Sequence, residues 1–449
     1  MKRYLIICMA ASLLLILGAC RKDYLDKKPD KALLVPETLA DLQALLDNNA
    51  VMNIFPGLGN ISADEQMTSD AGFLGIRTAA ERNSYLWSAD IFEGGSSTDW
   101  NRPYEQVLYA NIVLGRLAEL ETSTDDPELW QELKGSALFF RAMAFHNLAG
   151  QFALPYTAAG ASRDPGIPLR LTADIHARSV RGTLEETYQQ ILTDLSAAAK
   201  LLPLDAPFKS RPSRPAAYAL LARVYLSIDQ FPEAEQAADS CLAINSRLTD
   251  FNSLSAGSSN PFPEPLPHGN EEILFYNYPV SYSFASSSLT SVDSNLYKSY
   301  HANDLRRQLF FRSRANGIYT FKGFYGLATD EVFLIRAESR ARQGRTADAL
   351  ADLNRLLETR WKSGTFVPLA AANETEALRL IITERRKELW RRGLRWGDLR
   401  RLNKEEAFAV TLTRTINGQV YTLLPGDKRY VFPIPDNEIF SSGIEQNPR

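Results

Sequence analysis

The sequence predicts an all-α fold: a scaffold of stacked helical hairpins with two long loop excursions and one minor β-hairpin near its end. Three observations predict it. Apolar residues recur at three- and four-residue steps around 100–149, 183–244, 331–359 and 374–402, the period of helices with one buried stripe. Small residues stand where two such windows must touch, most clearly in 217–244. Between the windows, residues 49–99 and 251–330 lose the period and fill with glycine, proline and aromatic residues.

The first 36 residues stand apart. Lys2 and Arg3 precede a run without charge over 4–19, and Leu17-Gly18-Ala19-Cys20 reads as a lipobox. The run is too short for a span, which needs about 18 or more apolar residues, so 1–19 is expected to be a lipoprotein signal peptide. Cys20 would then carry the lipid, and 20–36, ending in Pro29 and Pro36, would be the tether. With Cys8 removed and Cys20 acylated, Cys241 is the remaining thiol and no internal disulfide can form. The mature charge becomes −5, since 48 basic and 53 acidic side chains remain after Lys2 and Arg3 leave. That balance argues against nucleic acid as a partner. A chain of this composition can bury a large core, and 37–449 is read as a single domain with halves at about 37–250 and 270–449.

Residues 37–48 form a helix by pattern, with Leu39, Leu42, Leu45 and Leu46 on one side. Residues 49–99 follow as a loop-rich excursion broken by six glycines, in which Trp87 and Phe92 favour order. Helical register resumes at Trp100, through Tyr104, Val107, Leu108, Asn111 and Leu114; a second helix starts from Pro127, a residue suited to a first turn. In 217–244, Tyr218, Leu221, Ala222, Tyr225, Phe231, Ala234, Ala238 and Cys241 occupy tetratricopeptide-repeat positions. A weaker copy spans 333–357, from which Arg336 and Arg340 depart. Prolines at 261, 263, 265 and 267 forbid helix in the second excursion. Thirteen of the 51 residues in 275–325 are aromatic, against 10% overall, so something there needs rings. Asn417-Gly418 between alternating runs predicts the hairpin over 411–423.

The last helical window ends in the densest charge run. Asn373 and Glu376 stand at capping-box spacing, and Leu378, Ile381, Ile382 and Leu389 share a face, placing the charges on the opposite one. Glu384–Lys387, Arg385–Glu388 and Glu388–Arg392 have the offsets of intrahelical ion pairs, and Gly393 offers a left-handed stop. Glu384, Arg385, Arg386, Glu388, Leu389, Gly393, Arg395, Trp396, Asp398, Leu399, Arg400 and Arg401 match the "E-R-R-x-E-L-…-G-x-R-W-x-D-L-R-R" signature of the SusD/RagB family, which this segment resembles. "W-x3-Y-…-A-N-x-V-L" at Trp100–Leu114, "R-A-x-A-F-x-x-L" at Arg141–Leu148 and the ending "P-I-P-x-x-E-I…Q-N-P" extend the resemblance over nearly the whole chain. Gln151-Phe152-Ala153-Leu154-Pro155 departs from the family's usual turn, and 251–330 gives no diagnostic match.

The resemblance implies a lipid-anchored outer-membrane protein facing the cell exterior. Such a protein binds a nutrient, oligosaccharide or alternatively peptide, and delivers it to a SusC-like TonB-dependent transporter without catalysis. The residues themselves suggest no enzyme, cofactor or metal. His146, His176, His268 and His301 are scattered, no nucleophile elbow or phosphate loop occurs, and Cys241 sits at a buried repeat position. A hydrolase would need two opposed carboxylates, and Asp64, Glu65, Asp70, Asp90 and Asp99 read equally well as solvated loop charges or turn formers. A protein-only adaptor is the other rival. The candidate ligand residues are aromatics and an amide on the excursions: Trp87, Trp100, Asn101, Tyr276, Tyr282, Tyr297 and Tyr319, with Asp304, Arg306 and Arg307 nearby. The competing reading has Trp87 and Trp100 pinning loops to the scaffold.

Overall fold

The computed structural model describes residues 36–120, 125–266, 269–313, 319–321 and 323–449. The signal segment, Cys20 and nearly all of the tether lie outside the described residues, as does His268. Among the described residues eight helices form the scaffold, each packed on the next: Thr98–Leu120, Pro127–Phe152, Leu184–Leu201, Arg214–Ser227, Phe231–Ile244, Thr329–Ala341, Thr346–Glu358 and Glu374–Glu388. Pro127 opens its helix with Asp126 as cap, Thr183 and Glu186 close a reciprocal capping box, and Asn373 accepts the Glu376 N–H. From Leu133 onward the Pro127–Phe152 helix is buried on nearly every side, which makes it the spine of the core. Its one inward charge, Arg141, is held by Asp194 through two 2.7 Å hydrogen bonds.

Arg336 and Arg340, the two departures from the repeat pattern, stitch neighbouring hairpins together. Arg336 reaches Asp352 and Asp239 at 2.6 and 2.8 Å, and Arg340 reaches Glu235 and Asp352 at 3.0 and 2.8 Å. The expected hairpin forms as Leu412–Ile416 against Gln419–Leu423, with Asn417 and Gly418 at φ 50 and 75, as a primed turn requires.

Residues 49–99 differ from expectation. They contain the short helices Asn49–Met52, Leu58–Ser62, Asp70–Leu74 and Ala79–Leu86, the last with a Thr78–Glu81 capping box. They are also zipped to the second excursion: Ile54–Phe55 runs parallel to Tyr278–Pro279, and Gln66–Thr68 antiparallel to Thr290–Val292. Strands of two or three residues are too short to show an alternating period, so the sequence gives no sign of them.

The charged run 384–401 is the larger correction. Arg385, Lys387, Glu388, Arg392, Arg395, Asp398, Arg400 and Arg401 are buried, not ranged along an exposed face. Of the three anticipated neighbour pairs only Lys387–Glu384 forms, at 2.8 Å. Arg385 turns to Asp398 at 2.9 Å, Arg392 to Asp330 at 3.0 Å, and Glu388 to Arg360 and Arg306 at 2.7 and 2.9 Å. The second excursion covers this helix, with the Tyr300 hydroxyl donating to the Lys387 carbonyl. Once covered, each charge requires a fixed counter-charge whatever its distance in sequence, and long-range partners displace the intrahelical ones. The helix ends at Glu388, not at Gly393. Gly393, at φ 82, has Phe55 at 2.6 Å from where a Cβ would stand, so glycine is required there by conformation and by space.

Candidate functional site

The seven candidate residues do not converge. Trp87 is buried at the left-handed end of its helix and donates its indole N–H to the Ser62 carbonyl at 2.9 Å, with the Arg414 guanidinium 4.4 Å above its ring. Trp100 is buried against Tyr104 and edge-on to Phe152, both at 5.0 Å. The expectation of ligand platforms at these two positions is corrected: their ring faces are spent on the core, and they pin the excursion to the scaffold. Asn101, next in the chain, is exposed and borders a groove of ≈ 310 Å³ with Asn111, Arg170, Asp174 and Glu438. Most of that groove's polar groups are consumed internally, Asn111 by the Arg170 and Thr172 carbonyls and Arg170 by the Ala177 and Asp174 carbonyls.

Tyr282 acts as a strut between the excursions. Its hydroxyl donates to Asp99 at 2.8 Å, while Asp99 also accepts from the Leu58 N–H and the Gln151 amide. Burial pushes the Asp99 carboxyl up from its ordinary value and pushes the Tyr282 phenol well above its own. Tyr276 is half-buried, 5.9 Å from Tyr278, and its backbone N–H joins the Lys209 carbonyl. The acidic residues of the first excursion divide: Asp70 and Asp90 are exposed, as loop charges or turn formers would be, whereas Asp64, Glu65 and Asp99 are covered. Glu65 and Asp99 are fully buried, Asp64 pairs with Arg395 at 2.7 Å, Asp90 caps the Phe92 and Glu93 N–H groups, and Asp70 accepts the Asn417 N–H.

Tyr297 has the placement most open to a ligand. It sits on the short helix Ser294–Lys298, fixed at its start by Asp293, whose carboxylate accepts the Asn295 and Leu296 N–H groups. Its ring stands edge-on to Phe311 at 5.5 Å, with the Arg307 guanidinium 5.0 Å from the ring centre. Together with Gln308, Arg312, Ser313, Ala256 and Gly257 these side chains line an open hollow of ≈ 440 Å³. Ser313 pairs with Tyr319 across the strand ladder Phe311–Ser313/Tyr319–Phe321, which brings the Tyr319 backbone alongside. Met67, an exposed residue of the first excursion, lies next to this helix with its sulfur 3.4 Å from the Ser294 hydroxyl. An aromatic edge, a guanidinium, an amide and a hydroxyl around one concavity suit a ligand with an apolar face and many hydroxyl groups. Sequence reasoning missed Gln308 and Arg312. Arg306 points inward and Gln308 outward from the Arg306–Leu309 helix, and four residues are too few to show which side is which.

Among the described residues no cluster of three or more His, Cys, Asp and Glu side chains stands as a metal site, and no helix is long and apolar enough to cross a membrane. Burial pushes the Cys241 thiol far above its ordinary value. His146 is driven down to about 3 by burial and by Arg223, so its imidazole is neutral.

Comparison with known proteins places this architecture. Residues 23–226 match the SusD-like family model described as starch-binding and associating with the outer membrane. A SusD-like protein of Formosa agariphila is 25% identical over the full length of both chains. The chain is thus similar to the SusD-like family over residues 23–226 and, at lower identity, along its whole length. Solved structures share its fold: a SusD superfamily protein from Bacteroides thetaiotaomicron superposes with a TM-score of 0.73 at 21% identity, covering 92% of this chain and 100% of that one. A sugar-binding protein from Bacteroides vulgatus, itself described as putative, gives 0.72 at 20% identity over 92% and 98% of the two chains. The surface glycan-binding protein A from Bacteroides fluxus gives 0.69 at 18% identity over 92% and 100%.

Proposed function

We propose that this SusD-like protein is a non-catalytic glycan-binding lipoprotein, acylated at Cys20, that holds an oligosaccharide at the cell surface for a SusC-like TonB-dependent transporter. The observation that carries the reading is the hollow around Tyr297, where the ring edge, Arg307 and Gln308 supply the contacts a sugar uses, on an excursion anchored to a rigid helical stack. The family description and the names of the sugar- and glycan-binding relatives point the same way. The lipobox supplies the mooring.

Titrating the mature protein calorimetrically with a panel of oligosaccharides tests the binding. Tyr297→Ala is expected to weaken the best ligand about tenfold, a loss of about 1.4 kcal/mol, with Arg307→Ala comparable. Retention of full affinity by both variants, at unchanged melting temperature, would remove the hollow from the mechanism. Binding of peptides and of no glycan would turn the reading toward peptide uptake. For the mooring, Cys20→Ala should move the protein out of the membrane fraction; a variant recovered there as abundantly as wild type defeats acylation at Cys20.

A further inference from the structure

Arg385 ties the helix Glu374–Glu388 to the following helix Arg395–Leu402 through Asp398 at 2.9 Å, and the chain then runs on to Val410, whose N–H donates to the Asn403 side chain. With the short helix Ser294–Lys298, these elements border a groove of ≈ 320 Å³. Its walls are apolar: Leu296, Ile382, Leu399, Leu402, Phe408 and Val410. Ile382, Phe408 and Val410 are only half-buried, so the protein leaves hydrocarbon uncovered there. Leu296 lines this groove while its neighbour Tyr297 lines the hollow described above, so one short helix separates the two concavities.

Among the described residues the charged groups on the groove are all basic: Arg379, Arg386, Lys387 and Arg395. Three are committed, Arg386 and Arg395 to Asp64 at 3.1 and 2.7 Å, and Lys387 to Glu384 and Asp304 at 2.8 and 3.2 Å. Arg379 is exposed and has neither counter-charge nor hydrogen-bond partner among the described residues. Arg379, Ile382, Thr383 and Arg386 follow one another at three- and four-residue steps, which sets them on one helical face. Thr383, one turn on from Arg379, is exposed as well.

We propose that this groove binds a small amphipathic monocarboxylate of the medium-chain fatty-acid class, its hydrocarbon against Ile382, Leu399 and Phe408 and its carboxylate on the Arg379 guanidinium and the Thr383 hydroxyl. The charge decides the head group: a carboxylate neutralises the one cation of the groove that the fold leaves unpaired among the described residues. The walls decide the body. Ser299, the remaining polar residue, gives its hydroxyl to the Leu296 carbonyl at 2.6 Å, so a ligand rich in hydroxyl groups finds few partners there. An inorganic anion leaves the apolar walls wet, and a neutral hydrocarbon leaves Arg379 without a counter-charge. The site is independent of the glycan reading.

The test uses mature full-length protein titrated calorimetrically with sodium hexanoate, heptanoate and octanoate. One site per chain is expected, with affinity rising up to about fourfold for each added methylene. 1-Octanol, which keeps the chain and loses the charge, should bind about tenfold more weakly than octanoate, and Arg379→Gln should remove that difference at unchanged Tm. Crystals soaked in 8-bromooctanoate should show an anomalous peak in the groove. No saturable binding, equal affinity for octanoate and octanol, or an Arg379→Gln protein that keeps the full preference for the acid each overturns the proposal. So does a bromine peak placed elsewhere. Sedimentation as a dimer that Ile382→Ser breaks would give the groove to a second copy of the chain, and equally overturns it.

Discussion

Replacing Glu388 by Gln is expected to lower the unfolding free energy by about 3–5 kcal/mol, read as an early midpoint in urea unfolding. Glu388 is the hub on which three separate parts of the chain are locked. One oxygen accepts from Arg360 Nε at 2.7 Å and the other from Arg306 Nη1 at 2.9 Å, and none of the three side chains is reached by solvent. Arg306 is further held by Asp304 and Glu384 at 2.7 and 2.6 Å, and Arg360 by Glu272 at 3.0 Å. Burial works against the Glu388 charge, but Arg360 and Arg306 hold its carboxyl below the usual carboxylate range. An amide of the same shape keeps the volume, removes the charge and turns two donor hydrogens toward one guanidinium that can only donate, leaving its single carbonyl to accept from the other. Two buried cations then lose part of their compensation while everything around them stays packed. A midpoint within experimental error of wild type would show that the remaining carboxylates suffice, and that Glu388 is no hub.

The same residues show what a linear sequence discloses here. Helices and caps were legible because their signals are local: Pro127 at a first turn, Asn373 three residues before Glu376, Asn417-Gly418 at a hairpin. The stacked-hairpin class followed from the small residues of 217–244 meeting their neighbours. Burial of charge was not legible. The partners of Glu388 lie 82 and 28 residues away, and nothing near Glu388 in the chain distinguishes it from a solvated surface acid. Trp87 and Trp100 read as ligand platforms for a related reason: loop position does not say which way a ring faces, and both face the core. The aromatic enrichment of 275–325 was visible, yet it divides between a core cluster built on Phe310, Phe311 and Phe324 and an outward hollow holding Tyr297. Composition reports the sum of the two and cannot separate them.

Glu65→Gln should stabilise the protein at pH 8 and leave it little changed at pH 4. Glu65 and Asp64 are neighbours with opposed electrostatics. Against the cost of burial, Arg395 and Arg386 hold Asp64 at about 2, while burial and the adjacent Asp64 charge push Glu65 up to about 8. The Arg391 N–H donates to Glu65 at 3.1 Å and resists that rise without preventing it. A carboxyl with a raised folded-state value contributes its stability fully below about 4.5, where folded and unfolded chains both hold the proton. From there to about 8 the unfolded chain has released the proton and the folded one keeps it, so the contribution is lost steadily as pH rises. At about 1.4 kcal/mol per unit, the loss approaches 4–5 kcal/mol at pH 8 as an upper bound. Glutamine is neutral at every pH and its carbonyl can still accept the Arg391 N–H, so the variant escapes the loss. Because Glu65 joins the first excursion to the turn between the helices Glu374–Glu388 and Arg395–Leu402, the effect should appear as global stability in urea midpoints taken from pH 4 to 8. The difference between variant and wild type is expected to be near zero at the acid end and to widen upward. Parallel curves across that range would mean that Glu65 is ionised in the folded protein throughout, with the Arg391 N–H and the two arginines outweighing its burial.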